Sequence, residues 1–387
     1  MRGKGWFSSS TARHGVESAA GLPAREEARY ERASMEHMHS AFFPRAPKNI
    51  LLVAKRTGDE KAHAHTRTLA THLHDKYAAN IVVEPHLALG LSARVPFTIY
   101  VCDAQDTIAS HAAPHELQTS LSEIPFGRRR RVANGMYESK IDAVVTLGGD
   151  GTILHAASLF SFSASPPPIL SFSMGSLGFL TPWYFHEHER ALEHLMTSRA
   201  EVMFRSRLAA ERRDEETERT IHLGNAMNEI NLHRGSSPHL TVMDISMDGR
   251  HLTRCIADGM VVSTPTGSTA YSLSSGGSIV HPLVESILVT PICPRSLSFR
   301  PLVLPFSSTF HLRQPAEARK SAELSIDGKE RGVLTTANML TIQRAAHGIP
   351  CIMRGEDAWN HDLNRLLGFN RRFEGRNASH LDDDEFN

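Results

Sequence analysis

Residues 141–160 read IDAVVTLGGDGTILHAASLF, and this stretch decides the fold class. The apolar run Ile141–Leu147 is typical of a buried strand, and Ile153–Phe160 predicts a helix. Between them lies GGDGT (148–152), a glycine turn whose backbone N–H groups can bind phosphate at the N-terminus of the following helix. Strand, glycine turn and helix in this order predict an α/β domain that handles a nucleotide.

The segments on either side continue the alternation of strand and helix. Lys48–Val53 (KNILLV) predicts a first strand, a helical pattern follows through about Tyr77, and Asn80–Val83 is another apolar run. Further on, Ile169–Phe172 predicts a strand that leads into a second glycine turn, MGSLGFL (174–180). This alternation predicts a Rossmann-like, mostly parallel sheet with covering helices.

After about residue 200 the hydrophobic period changes to two. Apolar and polar residues alternate along Met243–Asp248, and Asp248-Gly249 then marks a hairpin turn. Leu324 and Ile326 alternate in the same way before Asp327-Gly328. The pattern predicts a β-sandwich-like second domain, after which Trp359–Phe369 returns to helical spacing.

These patterns divide the 387 residues into five parts. We expect a disordered presequence and linker (1–47), an α/β domain with the GGDGT turn (48–198), a β-rich domain (199–354), a C-terminal helix (355–372) and a disordered tail (373–387).

Composition excludes several classes of protein. Lys+Arg and Asp+Glu both number 42, so no net charge draws the chain to nucleic acid or to a membrane surface. No apolar run approaches the ~20 residues that span a bilayer. The four cysteines are widely spaced without a CxxC pair, which argues against a zinc site or a disulfide framework and favours a reducing compartment.

The first helix is rich in histidine. Its histidines are His63, His65, His72 and His74. A metal site is one interpretation, but we favour a solvated face, because Leu69, Leu73 and Tyr77 recur at helical spacing and supply the buried stripe. The sequence therefore predicts no metal-ligating residue.

Two basic segments have alternative interpretations. Residues 1–16 contain Arg2, Lys4 and Arg13, several serines and no acid, a composition typical of a mitochondrial presequence or of an ordinary disordered tail. The four consecutive arginines Arg128–Arg131 can be interpreted as a patch that steers phosphate groups, as a nuclear signal or as a solvated loop. We favour the solvated loop.

Asp150 is the first candidate catalytic residue. A carboxylate inside an anion-binding turn would repel phosphate unless it accepts a proton from an attacking hydroxyl or holds a magnesium ion. The alternative is that Gly-Asp-Gly serves only the geometry of a turn. The common phosphate-binding loop is excluded, because its glycine–lysine–Ser/Thr pattern is absent.

Two further groups of polar residues follow. Asn228-Glu229 lies among apolar residues, where Asn can pair with an adenine edge and Glu can accept two ribose hydroxyls, although a polar pair at a strand edge is the simpler interpretation. Asp258 precedes TGSTAY (266–271). In this loop Tyr271 can stack on a ring, and the hydroxyl groups can bind ribose or base. The alternative interpretation is a serine-rich loop without a ligand.

These motifs, in this order, resemble the NAD kinase family. The resemblance rests on GGDGT, MGSLGFL, Asn228-Glu229 and DGMVVSTPTGSTAYSLSSGGSIVHP (258–282), with PRSLSFRPLVLP (294–305) beyond them. Within the family, HRGSSPHLT (233–241), TPICPRSLSFRPL (290–302) and LLGFN (366–370) are most similar to the mitochondrial NADH kinases of fungi. The resemblance covers about residues 48–372.

The resemblance implies an active site between an α/β domain and a β-rich domain, with the final helix (Leu363–Phe369) packed back on the first domain. It implies transfer of the γ-phosphate of ATP, with Mg²⁺, to the 2′-hydroxyl of the adenosine ribose of NADH or NAD+. A homo-oligomer in the mitochondrial matrix is expected, with the cytoplasm as the alternative location.

The family's motifs also imply roles for individual residues. Asp150 is the general base, and Gly148, Gly149, Gly151 and Thr152 hold the phosphates of ATP. The residues implied to bind NAD(H) are Asn228, Glu229, His239, Asp258, Thr269, Ala270, Tyr271 and Ser274.

Two other functions compete with this one. A lipid or diacylglycerol kinase also uses a GGDGT turn, but its substrate would not need the Asn-Glu pair or the TPTGSTAY loop. A nucleotide-binding regulator without catalysis is the second, and the presence of Asp150 argues against it.

Overall fold

The structure is a computed structural model, and it describes residues 15–33, 38–55, 60–102, 135–197, 200–355 and 358–368. The predicted Arg128–Arg131 loop and the predicted C-terminal tail (373–387) lie outside the described residues. Among the helices that the structure describes, none is long and apolar enough to cross a membrane. All four cysteines are free.

The first sheet contains eleven strands. They are β1 (Val16–Ser18), β2 (Arg29–Arg32), β3 (His39–Phe42), β4 (Asn49–Ala54), β5 (Asn80–Val83), β6 (Ile99–Val101), β7 (Ala143–Gly148), β8 (Ile169–Ser173), β9 (Trp183–Tyr184), β10 (Ala200–Arg205) and β22 (Ile349–Ile352). Their order is β1-β6-β5-β4-β7-β8-β22-β10-β3-β2, with β9 beside β8. The pairs from β1 to β22 are parallel, and those that include β10, β3 or β2 are antiparallel.

Helices cover this sheet. They are α1 (Glu60–Tyr77), α2 (Pro85–Ser92), α3 (Asp150–Leu159) and α4 (His188–Thr197), and residues 135–140 are also helical. Two more helices follow in the chain: α5 (Tyr271–Ser274), which lies in the second domain, and α6 (Ala358–Leu367) near the C-terminus. Strands β4 and β7 are buried along their whole length, as near-continuous apolar runs in a parallel sheet should be. The predicted α/β domain is confirmed.

The N-terminal segment differs from the prediction. Residues 1–47 were expected to be disordered, but β1, β2 and β3 lie within them and extend the first sheet at both edges. The ring of Tyr30 packs edge-on against Phe204, with centroids 4.8 Å apart. The sequence gives little sign of these strands because they are short and carry charged, exposed residues, so no apolar period marks them.

The second domain is an antiparallel sheet, also of eleven strands. They are β11 (Leu208–Asp214), β12 (Thr220–Ala226), β13 (Glu229–His233), β14 (Thr241–Met247), β15 (Arg250–Ser263), β16 (Ser286–Pro294), β17 (Leu302–Pro305), β18 (Phe310–Arg313), β19 (Ala322–Ile326), β20 (Lys329–Leu334) and β21 (Asn338–Arg344). The main order is β12-β11-β21-β18-β14-β15-β13-β19-β20, and β16 pairs with β15 and β17. Both predicted Asp-Gly turns are present, with positive φ at Asp248 and Asp327.

The predicted domain boundaries at 199 and 354 need correction. Strands β10 and β22 pair with each other and belong to the first sheet, so the β-rich domain is inserted between them. A strand's apolar residues do not reveal which sheet it joins, so the sequence pattern could not place them. The returning helix is confirmed: Arg365 of α6 donates to the carbonyl oxygen of Leu177, 3.1 Å away, in the second glycine turn.

Helix α1 buries Leu69 and Leu73 as predicted. Its histidines do not all lie on a solvated face, however. The ring of His65 stacks on Phe185 with centroids 3.6 Å apart, and the ring of His72 lies 5.6 Å from that of His188. The sequence could not show this, because the partners are on α4 and the turn before it.

Candidate active site

The GGDGT turn joins the end of β7 to the start of α3. Gly149 is the N-cap residue, Asp150 is the first residue of the helix, and the Thr152 N–H donates to the Gly149 carbonyl at 2.8 Å. The turn borders a cavity of about 370 Å³ that is also lined by Lys55 and His155. Free N–H groups at a helix N-terminus, together with a lysine, provide what a polyphosphate needs.

Asp150 is held between the two glycine turns. Its Oδ1 accepts the Leu180 N–H at 3.1 Å. Burial raises the pKa of the Asp150 carboxyl, while the N–H of Leu180 and the charge of Arg205 lower it. A Cβ atom at Gly178 would overlap this carboxylate, so the second turn needs glycine there because the side chain of Asp150 approaches its backbone.

Arg205, on β10, is a site residue that the sequence analysis missed. Its side chain is buried. Nη2 donates to the Phe179 carbonyl at 3.1 Å and Nη1 to Thr266 Oγ1 at 3.4 Å. One guanidinium therefore connects the second glycine turn of the first domain to the TGSTAY loop of the second. In the sequence, the only indication of this role is a single arginine in an otherwise mostly apolar strand.

Glu229 is the first residue of β13 and Asn228 directly precedes it, and both are buried. Asn228 Oδ1 and Glu229 Oε2 have no hydrogen-bond partner among the described residues. Burial, with the nearby charge of Asp327, raises the pKa of Glu229 to about 7. Buried polar atoms without partners are costly, so these two are well suited to meet the polar groups of a ligand.

Asp327 fixes the backbone of this pair. Its carboxylate accepts the N–H groups of Met227 at 2.9 Å, Asn228 at 2.8 Å and Glu229 at 3.1 Å. Burial raises the pKa of Asp327, and these three hydrogen bonds lower it. The sequence identified Asp327 only as a turn residue, because its contact with residues about a hundred positions away is a tertiary feature.

The TGSTAY loop lies against the Asn-Glu pair. A Cβ atom at Gly267 would overlap the carbonyl oxygen of Asn228, and the Thr264 N–H donates to that same oxygen at 2.9 Å. Tyr271 is 38% exposed. Burial raises its pKa, and the charges of Cys293, Asp258 and Glu229 raise it further.

The other predicted NAD(H)-binding residues are found in varied settings. Asp258 is ion-paired with Arg234, with Oδ1 2.6 Å from Nε, so a ribose would have to share this carboxylate. Thr269 and Ala270 are half-buried beside Tyr271. The Ser274 hydroxyl donates to the Tyr271 carbonyl at 3.0 Å. His239 is exposed in the segment between β13 and β14. Their role in binding remains a prediction.

A polar chain joins the second domain to α3. Lys329 Nζ lies 3.0 Å from His155 Nδ1 and 2.5 Å from Ser158 Oγ. His155 Nε2 in turn lies 2.7 Å from the buried carboxylate of Glu84. His155 also lines the cavity beside GGDGT, so Lys329 brings positive charge from the β19–β20 hairpin toward that cavity. Sequence reasoning gave no sign of this chain.

Comparison with known proteins identifies two matching families of domains. The family model described as "ATP-NAD kinase N-terminal domain" matches residues 50–200, and "ATP-NAD kinase C-terminal domain" matches residues 227–353. The first match covers the strands from β4 to β9 of the first sheet, and the second covers β13 to β21 of the second sheet together with β22. The glycine turns and Asn228-Glu229 lie within the two matches.

Curated relatives agree with these matches. The mitochondrial NADH kinase pos5 of Schizosaccharomyces pombe is 39% identical over 335 residues, which are 86% of this chain and 77% of the relative. The mitochondrial NADH kinase POS5 of Saccharomyces cerevisiae is 38% identical over 338 residues, 78% of this chain and 76% of the relative. The crystal structure of yeast NADH kinase complexed with NADH superposes with a TM-score of 0.79 at 35% identity, covering 94% of this chain and 99% of that one.

Proposed function

The chain belongs to the NAD kinase family, and from that premise we propose that it transfers the γ-phosphate of ATP to the 2′-hydroxyl of the adenosine ribose of NADH and NAD+. The observation that carries the proposal is the position of Asp150, at the helix N-terminus that borders the cavity lined by Lys55 and His155. This geometry brings a base and a phosphate-binding turn together.

The transfer needs few protein groups. The ribose oxygen attacks the γ-phosphorus, a new O–P bond forms, and the bond to the bridging β–γ oxygen breaks to release ADP. Asp150 accepts the hydroxyl proton, and the N–H groups of the GGDGT turn hold the phosphates. Lys55 lines the same cavity, where its ammonium group offsets the charge of the transferring group.

Mg²⁺ would accompany ATP. Its preference for oxygen ligands would be met by the phosphate oxygens of ATP, which the GGDGT turn holds in this proposal. When bound, the ion neutralises charge on the phosphates.

Asn228, Glu229 and Tyr271 form the dinucleotide site in this proposal. The unpartnered oxygens of the Asn-Glu pair receive hydrogen bonds from adenine and ribose, and the half-exposed phenol of Tyr271 supplies a stacking face. Asp327 is a positioning residue, because it contacts the backbone of the pair.

Membership in the family removes the lipid kinase alternative. A non-catalytic regulator would bind both nucleotides without forming product, and a turnover assay separates it from a kinase. We further propose a mitochondrial location, as the names of the two fungal relatives state for those proteins. Self-association remains an expectation.

The test is kcat/KM for NADH and for NAD+ at saturating ATP-Mg. We expect both to be phosphorylated, with NADH preferred about tenfold, which requires only ~1.4 kcal/mol of difference at the nicotinamide. The Tyr271→Ala variant should weaken NADH binding by roughly 1–3 kcal/mol while ATP binding changes less. Absence of NADP(H) from the wild-type reaction would contradict the proposal, and a ratio that favours NAD+ would contradict only the preference.

A further inference from the structure

A cluster of three potential metal ligands lies between α1 and α4, and none of its residues has a role in the proposed reaction. His72 comes from α1, and His188 and Glu189 are the first two residues of α4. One ligand atom from each lies within 4.8 Å of the other two. The cluster borders a surface groove that also contains Arg67, Asp75 and Lys76.

A backbone contact fixes the tautomer of His188. Its Nδ1 lies 3.0 Å from the carbonyl oxygen of Phe185. A carbonyl oxygen only accepts, so Nδ1 carries the proton and Nε2 keeps its lone pair. The ring of Phe185 also stacks on that of His188, with centroids 5.0 Å apart and planes 10° apart. Such a backbone partner commonly fixes the tautomer of a metal-bound histidine.

His72 offers a second nitrogen that the protein leaves without a partner. Its Nε2 is buried and makes no hydrogen bond among the described residues. A buried polar atom of this kind needs an explanation, and a bound ion would provide one. The sequence alone led us to expect no metal ligand on this helix, because His188 lies 116 positions away in the chain.

We propose that His72, His188 and Glu189 form a binding site for a transition-metal ion of the Zn²⁺ class, with water as the fourth ligand. Two imidazoles and one carboxylate are a common zinc ligand set, whereas Mg²⁺ prefers oxygen ligands alone. Ligand bonds of ~2.0–2.2 Å require the three atoms to move somewhat closer together, and the exposed position of Glu189 leaves room for its side chain to move. Around the site, the charges of Arg67 and Lys76 are balanced by those of Asp75 and Glu189.

A bound ion would hold α1 and α4 together. Helix α1 also carries His65, whose Nδ1 lies 3.4 Å from the sulfur of Met174 in the second glycine turn. The metal would therefore stabilise the helix that contacts the second glycine turn, without contacting either substrate.

The test is metal binding by the purified full-length protein with Zn²⁺ and with Co²⁺ as a spectroscopic probe. We expect one ion per chain to survive dialysis, visible Co²⁺ absorption of a four-coordinate site, and a Tm that rises with Zn²⁺. His72→Gln and His188→Gln should each lower the affinity at least tenfold. His74→Gln is the matched control, because His74 lies on the same helix outside the cluster, and it should bind like the wild type.

Several outcomes would overturn the proposal. The first is an unchanged Zn²⁺ affinity in both His72→Gln and His188→Gln. The second is a loss of Zn²⁺ affinity in His74→Gln as large as in those two variants, which would indicate unspecific binding to the many histidines. Glu189→Gln tests the site if a histidine variant fails to fold. Glu189 is exposed, so we expect its replacement to leave the contacts between the helices in place. If this folded variant bound Zn²⁺ as tightly as the wild type, the three-ligand site would be wrong.

Discussion

Asp150 has two roles at the scale of a single residue. Its carboxylate joins the two glycine turns through the Leu180 N–H, and in the proposed reaction it accepts a proton. Burial raises its pKa, which moves a carboxylate toward the range in which a general base is effective. In this proposal the same side chain both joins the two glycine turns and accepts the proton.

The first prediction separates these two roles. Asp150→Asn keeps an oxygen that can accept the Leu180 N–H but removes the base. We expect kcat to fall by roughly 10²–10⁴-fold, with nucleotide binding and Tm close to those of the wild type. Steady-state kinetics and calorimetric binding check this. Near-normal turnover by the folded variant would show that Asp150 is not the base.

Glu229 gives a second prediction at the residue scale. Its pKa is raised to about 7 in the folded protein, so folding favours the protonated form. Below the pKa of 4.5 that the Glu229 carboxyl has in the unfolded chain, the carboxyl is protonated in both states and its ionisation does not reduce the stability of the fold. Above pH 7 the folded state must bury a charged carboxylate, which lowers the free energy of unfolding. The contribution of Glu229 to stability is therefore lost as pH rises from about 4.5 through 7.

Glu229→Gln should remove this pH dependence. We expect the free energy of unfolding of the variant, relative to the wild type, to rise by about 2–3 kcal/mol between pH 5 and pH 8. Urea unfolding of the ligand-free proteins at several pH values measures it. A constant difference across that range would mean that Glu229 does not titrate as its burial requires.

The β19–β20 hairpin shows how an element positions a site. Its turn residue Asp327 has a positive φ, as Asp248 does in the β14–β15 hairpin. Both are followed by glycine, but only Asp327 reaches the backbone of Asn228-Glu229. Asp248 accepts a single N–H, from Thr309, in an exposed position.

These two turns provide a matched pair for the third prediction. Asp327→Ala removes three partly buried hydrogen bonds and should raise the KM for NADH at least tenfold, with a loss of stability of roughly 3 kcal/mol at about 1 kcal/mol for each bond. Asp248→Ala, in a turn of the same conformation, should change KM less than twofold. The hypothesis fails if the two variants alter KM equally, which would indicate a general effect on the β-rich domain.

At the scale of the whole molecule, the first sheet is assembled from three parts of the chain. Strands β4 to β9 come from residues 49–184, β1 to β3 come from the N-terminal segment, and β10 and β22 flank the inserted domain. Asp142 reinforces this arrangement, since its carboxylate accepts the N–H groups of Glu26 at 2.7 Å and Lys48 at 2.6 Å.

Truncation tests this arrangement in the fourth prediction. Deletion of residues 1–47 removes three strands and the buried side chains of Ala19, Leu22, Met38 and Ala41, so we expect a Tm lower by more than 5 °C or an insoluble protein. Deletion of residues 1–14 should leave Tm and activity within error of the wild type. Equal behaviour of the two truncations would show that β1 to β3 do not stabilise the sheet.

The sequence by itself determined the α/β domain, the β-rich domain and the motifs of the site. Strand-forming runs and glycine turns act over short distances in the chain, so GGDGT, Asn228-Glu229 and the TGSTAY loop could be found by reading along it. The final helix was also predicted, from its spacing and from the resemblance to the family.

Only the tertiary structure decided which distant residues meet. Strands β1 to β3 carry no apolar period, because pairing with neighbouring strands, and not their own composition, holds them in the sheet. Arg205, Asp327 and the pair His72 and His188 reach partners far away in the chain. Their signals in the sequence are single polar residues, and a single residue does not specify its partner until the backbone has folded.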